Sequence, residues 1–198
     1  MYIDIWDYQM DKKAFKNTVL LIIELSGPNG IGAVKLNKSL LVCDAMYYAL
    51  HKESFTNASY VKDHFGPVPD NNAMNIIDKM INEGDIIVTE KKYGNKKIEK
   101  NHVLAPGVKV PRDDFSDDDI ERISHIVKEV MKMSANELSN TTHDREYHKT
   151  YKNDLIDLNE IFEWRVLDNF MYSEDDDNKL EEILRNNLND ISSIVHTT

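Results

Sequence analysis

The hydrophobic positions of this chain fall into helical stripes along most of its length. Between residues 11 and 25, Phe15, Val19, Ile22 and Ile23 share one face, which predicts a helix opened by Asp11 and stopped by Ser26-Gly27-Pro28-Asn29-Gly30. After a short apolar link, Ile31 to Val34, a second helix is expected from Lys35 to about Lys52. Its stripe of Leu36, Leu40, Cys43, Tyr47 and Leu50 is widened by Leu41, Met46 and Tyr48, so much of its circumference should be buried. Asp44 falls inside that stretch. It lies either at an exposed helix edge or in the interior, where it needs a partner from a nearby lysine or tyrosine. A third helix is predicted over Asn71 to Glu83, with Met74, Ile77, Met80 and Ile81 inward and Gly84 as its C-cap.

Two stretches break the helical period. Between the second and third helices stands Phe65-Gly66-Pro67-Val68-Pro69. Each proline fixes its own φ and pushes the residue before it out of the helical region, while Gly66 alone is free to take a positive φ. The expectation is a rigid, extended, surface-reaching corner. After Gly84, strand-like runs over Ile86–Tyr93 and Ile98–Leu104 flank Gly94-Asn95, a strong hairpin signal. A helix leading into such a hairpin resembles a winged-helix arrangement, and Lys91, Lys92, Lys96, Lys97 and Lys100 make its tip basic.

Pro106-Gly107 and Pro111 mark the passage into the second half. Ser116 and three aspartates open a helix with Ile120, Ile123, Val127, Val130 and Met131 on one face. Ser134 and Glu137 form a capping box for a short helix ending near Thr142-His143. Residues 144–156 read as irregular, with Tyr147 and Tyr151 as anchors. Helical spacing returns from Leu158 to Tyr172, and Ser173 with its acidic neighbours caps a last helix carrying Leu180, Ile183, Leu184, Leu188, Ile191 and Val195. That last stripe either docks on the core or forms a seam with a partner or a second copy. The predicted fold class is mainly α: one helical domain over residues 1–172 with a single β-hairpin near 86–104, then an acidic-capped amphipathic helix over 173–198.

Composition narrows this picture modestly. The 198 residues suffice for one good core, and no apolar run approaches a membrane span. The N-terminus opens acidic, without the apolar region of a signal peptide, so a cytoplasmic location is expected. The single cysteine, Cys43, excludes an internal disulfide and reads as a buried structural thiol. The first 110 residues are close to neutral, and the remainder carries essentially the whole net charge of −11. An acidic half repels phosphate backbones and attracts basic partners. Nucleic acid therefore stays an alternative resting on the lysine-rich hairpin, where lysines also commonly guard exposed edge strands.

Catalytic patterns are sparse. His143, Asp144, Glu146 and His148 form the densest group of chemically capable side chains, a loose spacing for a metal or a hydrolase and an ordinary one for a capping loop. No HExxH, G-x-S-x-G, phosphate loop or dinucleotide fingerprint is present. Neither a cofactor nor an enzymatic activity is expected.

Several stretches resemble one family. Lys35-Leu36-Asn37-Lys38-Ser39-Leu40-Leu41-Val42-Cys43-Asp44 is similar to the KLxKLLYxAD stretch of the Panacea (SocA-like, GepA-like) domain of antitoxins. Tyr60-Val61-Lys62-Asp63-His64-Phe65-Gly66-Pro67-Val68-Pro69 resembles its YxKxxYGPVP signature, and Ser134 through Thr142-His143 its ELSxxTH segment. Ser39, Val42-Cys43 and Phe65 depart from the usual residues. The resemblance implies a mainly helical antitoxin of a toxin–antitoxin pair, of the kind phage and prophage genomes carry. It acts on a toxin encoded nearby, by direct contact or, in a SocA-type member, by delivering the toxin to a protease. The partner-binding candidates are Lys38, Asp44, Tyr60, Lys62, Phe65, Gly66, Pro67, Val68, Pro69 and His143. The alternative for the GPVP corner is that it braces the second helix against the third.

Overall fold

The computed structural model describes residues 10–93, 97–143, 145–158 and 170–173, together with residues 176, 178 and 182. Helix α1 (Lys12–Leu25) is opened by Asp11, whose carboxylate accepts from the Lys13 and Ala14 amides. Strand β1 (Ile31–Gly32) leads into helix α2 (Ala33–His51), which begins two residues before the expected Lys35. Along α2 every residue from Lys38 to Met46 is buried, so no single stripe faces the core. The helix runs through the middle of the molecule, touching α1, β1 and four later elements: strands β3 (Gly66–Pro69) and β5 (Lys97–Leu104), and helices α4 (Asp117–Lys132) and α5 (Ala135–Thr141).

The expected fold class needs correction. The chain is mixed α and β, with two three-stranded antiparallel sheets rather than one hairpin on a helical body. In the first sheet, β4 (Ile86–Tyr93) and β5 pair over their full length, with Val88 opposite His102 and Lys91 opposite Glu99. The link at Ile31 is itself a strand. Ile31 pairs with His102 and Gly32 with Asn101, giving the order β1-β5-β4. Gly30 (φ +67) makes that pairing possible, because a Cβ there would lie 2.2 Å from the His102 carbonyl oxygen. Helix, strand, helix, helix α3 (Asn71–Glu83) and hairpin follow one another as in a winged helix, with β2 (Tyr60–Asp63) and β3 inserted before α3.

The second sheet was not expected at all. It has the order β3-β2-β6, where β6 is only Leu155–Ile156. Residues 144–156 are therefore not wholly irregular: helix α6 (Arg145–Lys149) precedes β6. The two halves share one core, in which Ile123, Ile126, Val127 and Val130 of α4 join Phe15, Leu40, Leu41, Ile77 and Met80. The predicted capping box of Ser134 with Glu137 is formed on α5, and the predicted N-cap Ser116 forms a second one with Asp119 on α4. The helices expected over 158–172 and after 173 lie for the most part outside the described residues. Within them, Phe170 is buried and Asp176 accepts two hydrogen bonds from the Arg122 guanidinium, at 3.0 and 2.8 Å.

Candidate functional site

Three segments far apart in sequence meet at Gly66. The residue adopts φ +90, and a Cβ built on it would lie 2.6 Å from Lys38 Nζ, 2.7 Å from Thr142 Oγ1 and 3.1 Å from His143 Cδ2. Only glycine fits both that backbone and that space. Pro67 and Pro69 follow in β3, an edge strand, where their missing N–H groups leave no ladder bond unmade. The edge is closed from the helix side instead: Lys38 Nζ donates to the Pro67 carbonyl oxygen at 2.7 Å. Gly66, Pro67 and Pro69 are buried, so the run is a strand packed on α2 and not the surface-reaching corner expected from its stiffness.

Beneath this strand α2 buries an ammonium and a carboxyl group. Lys38 is 1% exposed and Asp44 fully buried. Burial drives the Lys38 ammonium down to about 7, and the nearby Asp63 charge opposes the fall. Burial likewise pushes the Asp44 carboxyl above its usual range, while its hydrogen-bond donors pull the other way. Those donors include the Thr56 amide at 2.7 Å, the Thr56 hydroxyl at 2.6 Å and the Tyr60 phenol at 2.7 Å, with Ser54 adding to them. Asp44 is thus an interior group, not a helix-edge one, and it ties the loop after α2 and the start of β2 to the helix. Tyr60 lies among the largest wholly buried side chains, and its phenol is held well above its ordinary value by burial and by the Asp44 charge.

A second layer lies over the other end of β2. Lys62 Nζ donates to the Thr150 carbonyl at 2.8 Å and stands 4.4 Å from the centre of the Tyr147 ring. The Tyr147 phenol donates to the Asp63 carbonyl at 2.9 Å, and its ring stacks parallel to His143 at 4.1 Å. Burial lowers the His143 pKa, helped by Lys38, His148, His64 and Lys62 around it. Tyr147 is the anchor its position suggested; Tyr151, 81% exposed, is not.

The register of the sheet sorts its side chains by face. Pro69, Tyr60 and Ile156 stand opposite one another and are all buried. The next row, Val68–Val61–Leu155, therefore faces outward, because successive residues of a strand alternate between faces. Val68 and Val61 are half-buried and Leu155 is 44% exposed. Phe65, at the β2–β3 turn, is 50% exposed and packs edge-on against His64.

Of the ten partner-binding candidates, then, Lys38, Asp44, Tyr60, Gly66, Pro67 and Pro69 are interior, Lys62, Val68 and His143 are half-buried, and Phe65 is exposed. Sequence reasoning missed Thr56, Val61 and Leu155. Thr56 lies in a polar loop with no motif around it, and Leu155 belongs to a strand too short to alternate visibly.

The lysine-rich hairpin belongs to the other sheet. Lys91 is in register with Glu99, and Lys100 lies opposite Glu90 with 3.6 Å between their charged groups. Two of the five lysines thus have acidic cross-strand neighbours, and Lys96 lies outside the described residues. Helix α3, which leads into the hairpin, exposes Asn71, Asn72, Asn75, Asp78, Asn82 and Glu83. Its exposed Lys79 is paired with Glu83 at 3.5 Å. Among the described residues, α3 itself therefore exposes more acidic than basic charge, a poor match for a phosphate backbone. His143 and His148 are near each other, with ring centres 6.4 Å apart, yet no group of three metal-capable side chains occurs among the described residues.

The fold and this frame define a small mixed α/β domain whose sequence motifs converge on one buried node beneath an outward apolar row. Residues 36–149 match the family model for the antitoxin SocA-like Panacea domain, and the chain belongs to that family. The matched range contains Lys38, Gly66 and His143, the three segments that meet at the node. No curated protein and no solved structure gives a significant match. Among the described residues no helix is long and apolar enough to cross a membrane.

Proposed function

We propose that this protein is the antitoxin of a toxin–antitoxin pair and neutralises its toxin by direct contact through the outer face of the β3-β2-β6 sheet. What carries the reading is the separation of roles at the motif. The interior members, Lys38, Asp44, Tyr60, Gly66, Pro67 and Pro69, hold the strand in place. Phe65 and the row Val68–Val61–Leu155 are what that strand offers to a partner, with Lys62 and His143 fixing the adjoining loop. Solvent-facing aliphatic and aromatic side chains on a rigid frame suit an interface core, since little side-chain entropy is lost on docking. Membership of an antitoxin family supplies the class of partner. Delivery of the toxin to a protease would begin with the same contact and differ only in the toxin's fate.

The test pairs Phe65→Asp with Leu155→Asp. Both side chains are exposed, so the double variant should unfold within about 0.5 kcal/mol of the parent. The neighbouring open reading frame is induced in a bacterial host with either form. Growth rescue by the parent and its loss with the double variant is the expected result, and toxin levels that stay constant during rescue distinguish blocking from degradation. A double variant that rescues fully would move the contact elsewhere.

A further inference from the structure

On the far side of α2 an open cleft of about 410 Å³ lies between α1, the end of α2 and the start of α4. Three aromatic rings stand among its mostly polar lining: Tyr47 meets Phe55 edge-on with ring centres 5.1 Å apart, and Phe55 stacks on Phe115 at 5.9 Å and 10°. All three residues are half-buried, and the His51 ring lies 4.4 Å from that of Tyr47. Around them stand the carboxylates of Asp11, Glu53, Asp114 and Asp119. Among the lining residues one cation answers them, Lys13, which pairs with Asp114 at 2.9 Å. The Asn17 amide also donates to Asp114 at 2.7 Å, and the Arg122 charge is felt at Tyr47 from beyond the lining. Asp11 is spent on the α1 amides and one Asp119 oxygen on Ser116, whereas no partner of Glu53 occurs among the described residues. Burial raises the Tyr47 phenol above its ordinary value, Asp119 and Glu53 add to the rise and Arg122 opposes it, so both carboxylates act on that ring.

We infer that this aromatic cleft is a binding site for a cationic side chain, an arginine or lysine projecting from a protein partner. A guanidinium or ammonium over the ring faces meets their negative quadrupole, and the surplus carboxylates at the rim complete its charge. An anion would meet that rim unfavourably, and an uncharged apolar chain would leave the carboxylates unanswered. Arginine suits the site better than lysine, because its plane stacks on a ring while its edge reaches a carboxylate. The inference is independent of the antitoxin reading, which concerns the opposite face of α2.

The probe is N-acetyl-arginine methylamide, titrated into the full chain while aromatic proton–carbon spectra are recorded, with N-acetyl-norleucine methylamide as the uncharged control. Saturable shifts confined to Phe55, Phe115 and Tyr47 with the arginine probe alone are expected. Glu53→Gln should weaken the arginine affinity about two- to fivefold, the effect of one exposed carboxylate, and Phe55→Leu should weaken it further while keeping the cleft filled with apolar bulk. Equal shifts with both probes, or affinity unmoved by Glu53→Gln and Phe55→Leu together, would overturn the site. Shifts scattered over the acidic surface would reduce it to nonspecific attraction.

Discussion

The two sheets of this domain are built on opposite plans. The β1-β5-β4 sheet is mostly a hairpin whose strands are neighbours in sequence, whose residues Ile87 to Glu90 are exposed on both faces, and where Glu90 and Lys100 face each other across the strands. The β3-β2-β6 sheet joins segments around residues 60, 67 and 155, has two prolines in an edge strand, and rests on a buried lysine and a buried carboxylate. Away from β1, where Gly30 admits no Cβ, the first sheet is held by weak, replaceable contacts. The second depends on a few contacts that admit no substitute, since an interior donor or charge left without its partner costs far more than a surface one. Tolerance to mutation should therefore differ sharply between them.

The sharpest comparison uses two glycines with nearly the same backbone. Gly66 and Gly84 adopt φ +90 and +84, so alanine is strained equally at both. At Gly84 nothing lies within 4 Å of the added Cβ, and Gly84→Ala should cost about 1 kcal/mol. At Gly66 the same atom would displace Lys38, Thr142 or both, and Gly66→Ala should cost about 3 kcal/mol or more, enough to unfold a marginal domain. Denaturant unfolding of the two variants measures the difference. Gly84 caps α3 outside both sheets, so equal losses would mean that the node yields as easily as open solvent and admits substitutes after all.

This asymmetry also explains what the sequence reveals. Helix faces, the caps at Asp11, Ser116 and Ser134, and the hairpin are local, so spacing and capping residues suffice to read them. The second sheet is invisible to the same reasoning. Its stiffness is legible in Gly66-Pro67-Val68-Pro69, but stiffness does not say which way a segment faces. That is decided by Lys38, 29 residues away, reaching the Pro67 carbonyl, and by Leu155 pairing with Val61. Lys38 is a poor candidate for the interior by residue type, since lysine is seldom buried unless paired. The family resemblance marks Lys38 and the Gly66–Pro69 run together, and the structure supplies the reason they keep company.

A smaller effect follows from the Lys38 ammonium. Its folded value, about 7, lies below the ordinary 10.5 of the unfolded chain. Between those limits the unfolded state binds more protons, so this group's contribution makes stability rise with pH and is lost as pH falls through 7. Above about pH 8.5 the signal reverses in part: Cys43 ionises in the unfolded chain but is held up by burial in the folded one, which favours unfolding. The clean window is pH 7 to about 8.5. Across it the parent should gain stability and Lys38→Met should show a flatter profile, in thermal unfolding at fixed ionic strength. A parent profile that falls across this window would place the ammonium outside the buried node.

The least effect is expected where the charges are most conspicuous. Glu90 and Lys100 face each other across the hairpin at 3.6 Å, both more than half exposed. Exposed pairs of this kind contribute between nothing and about 1 kcal/mol, because water screens them and two long side chains must be held still. Glu90→Ala with Lys100→Ala should therefore move the unfolding midpoint by an amount equivalent to less than about 0.5 kcal/mol. It should also leave growth rescue intact, because the proposed contact lies on the other sheet. The experiment cuts both ways. If rescue is lost while the fold persists, the solvated hairpin is the contacting element and the buried node is only its support. If rescue persists here and fails with Phe65→Asp and Leu155→Asp, the chain keeps its rigid sheet for its partner and leaves the adaptable one to solvent.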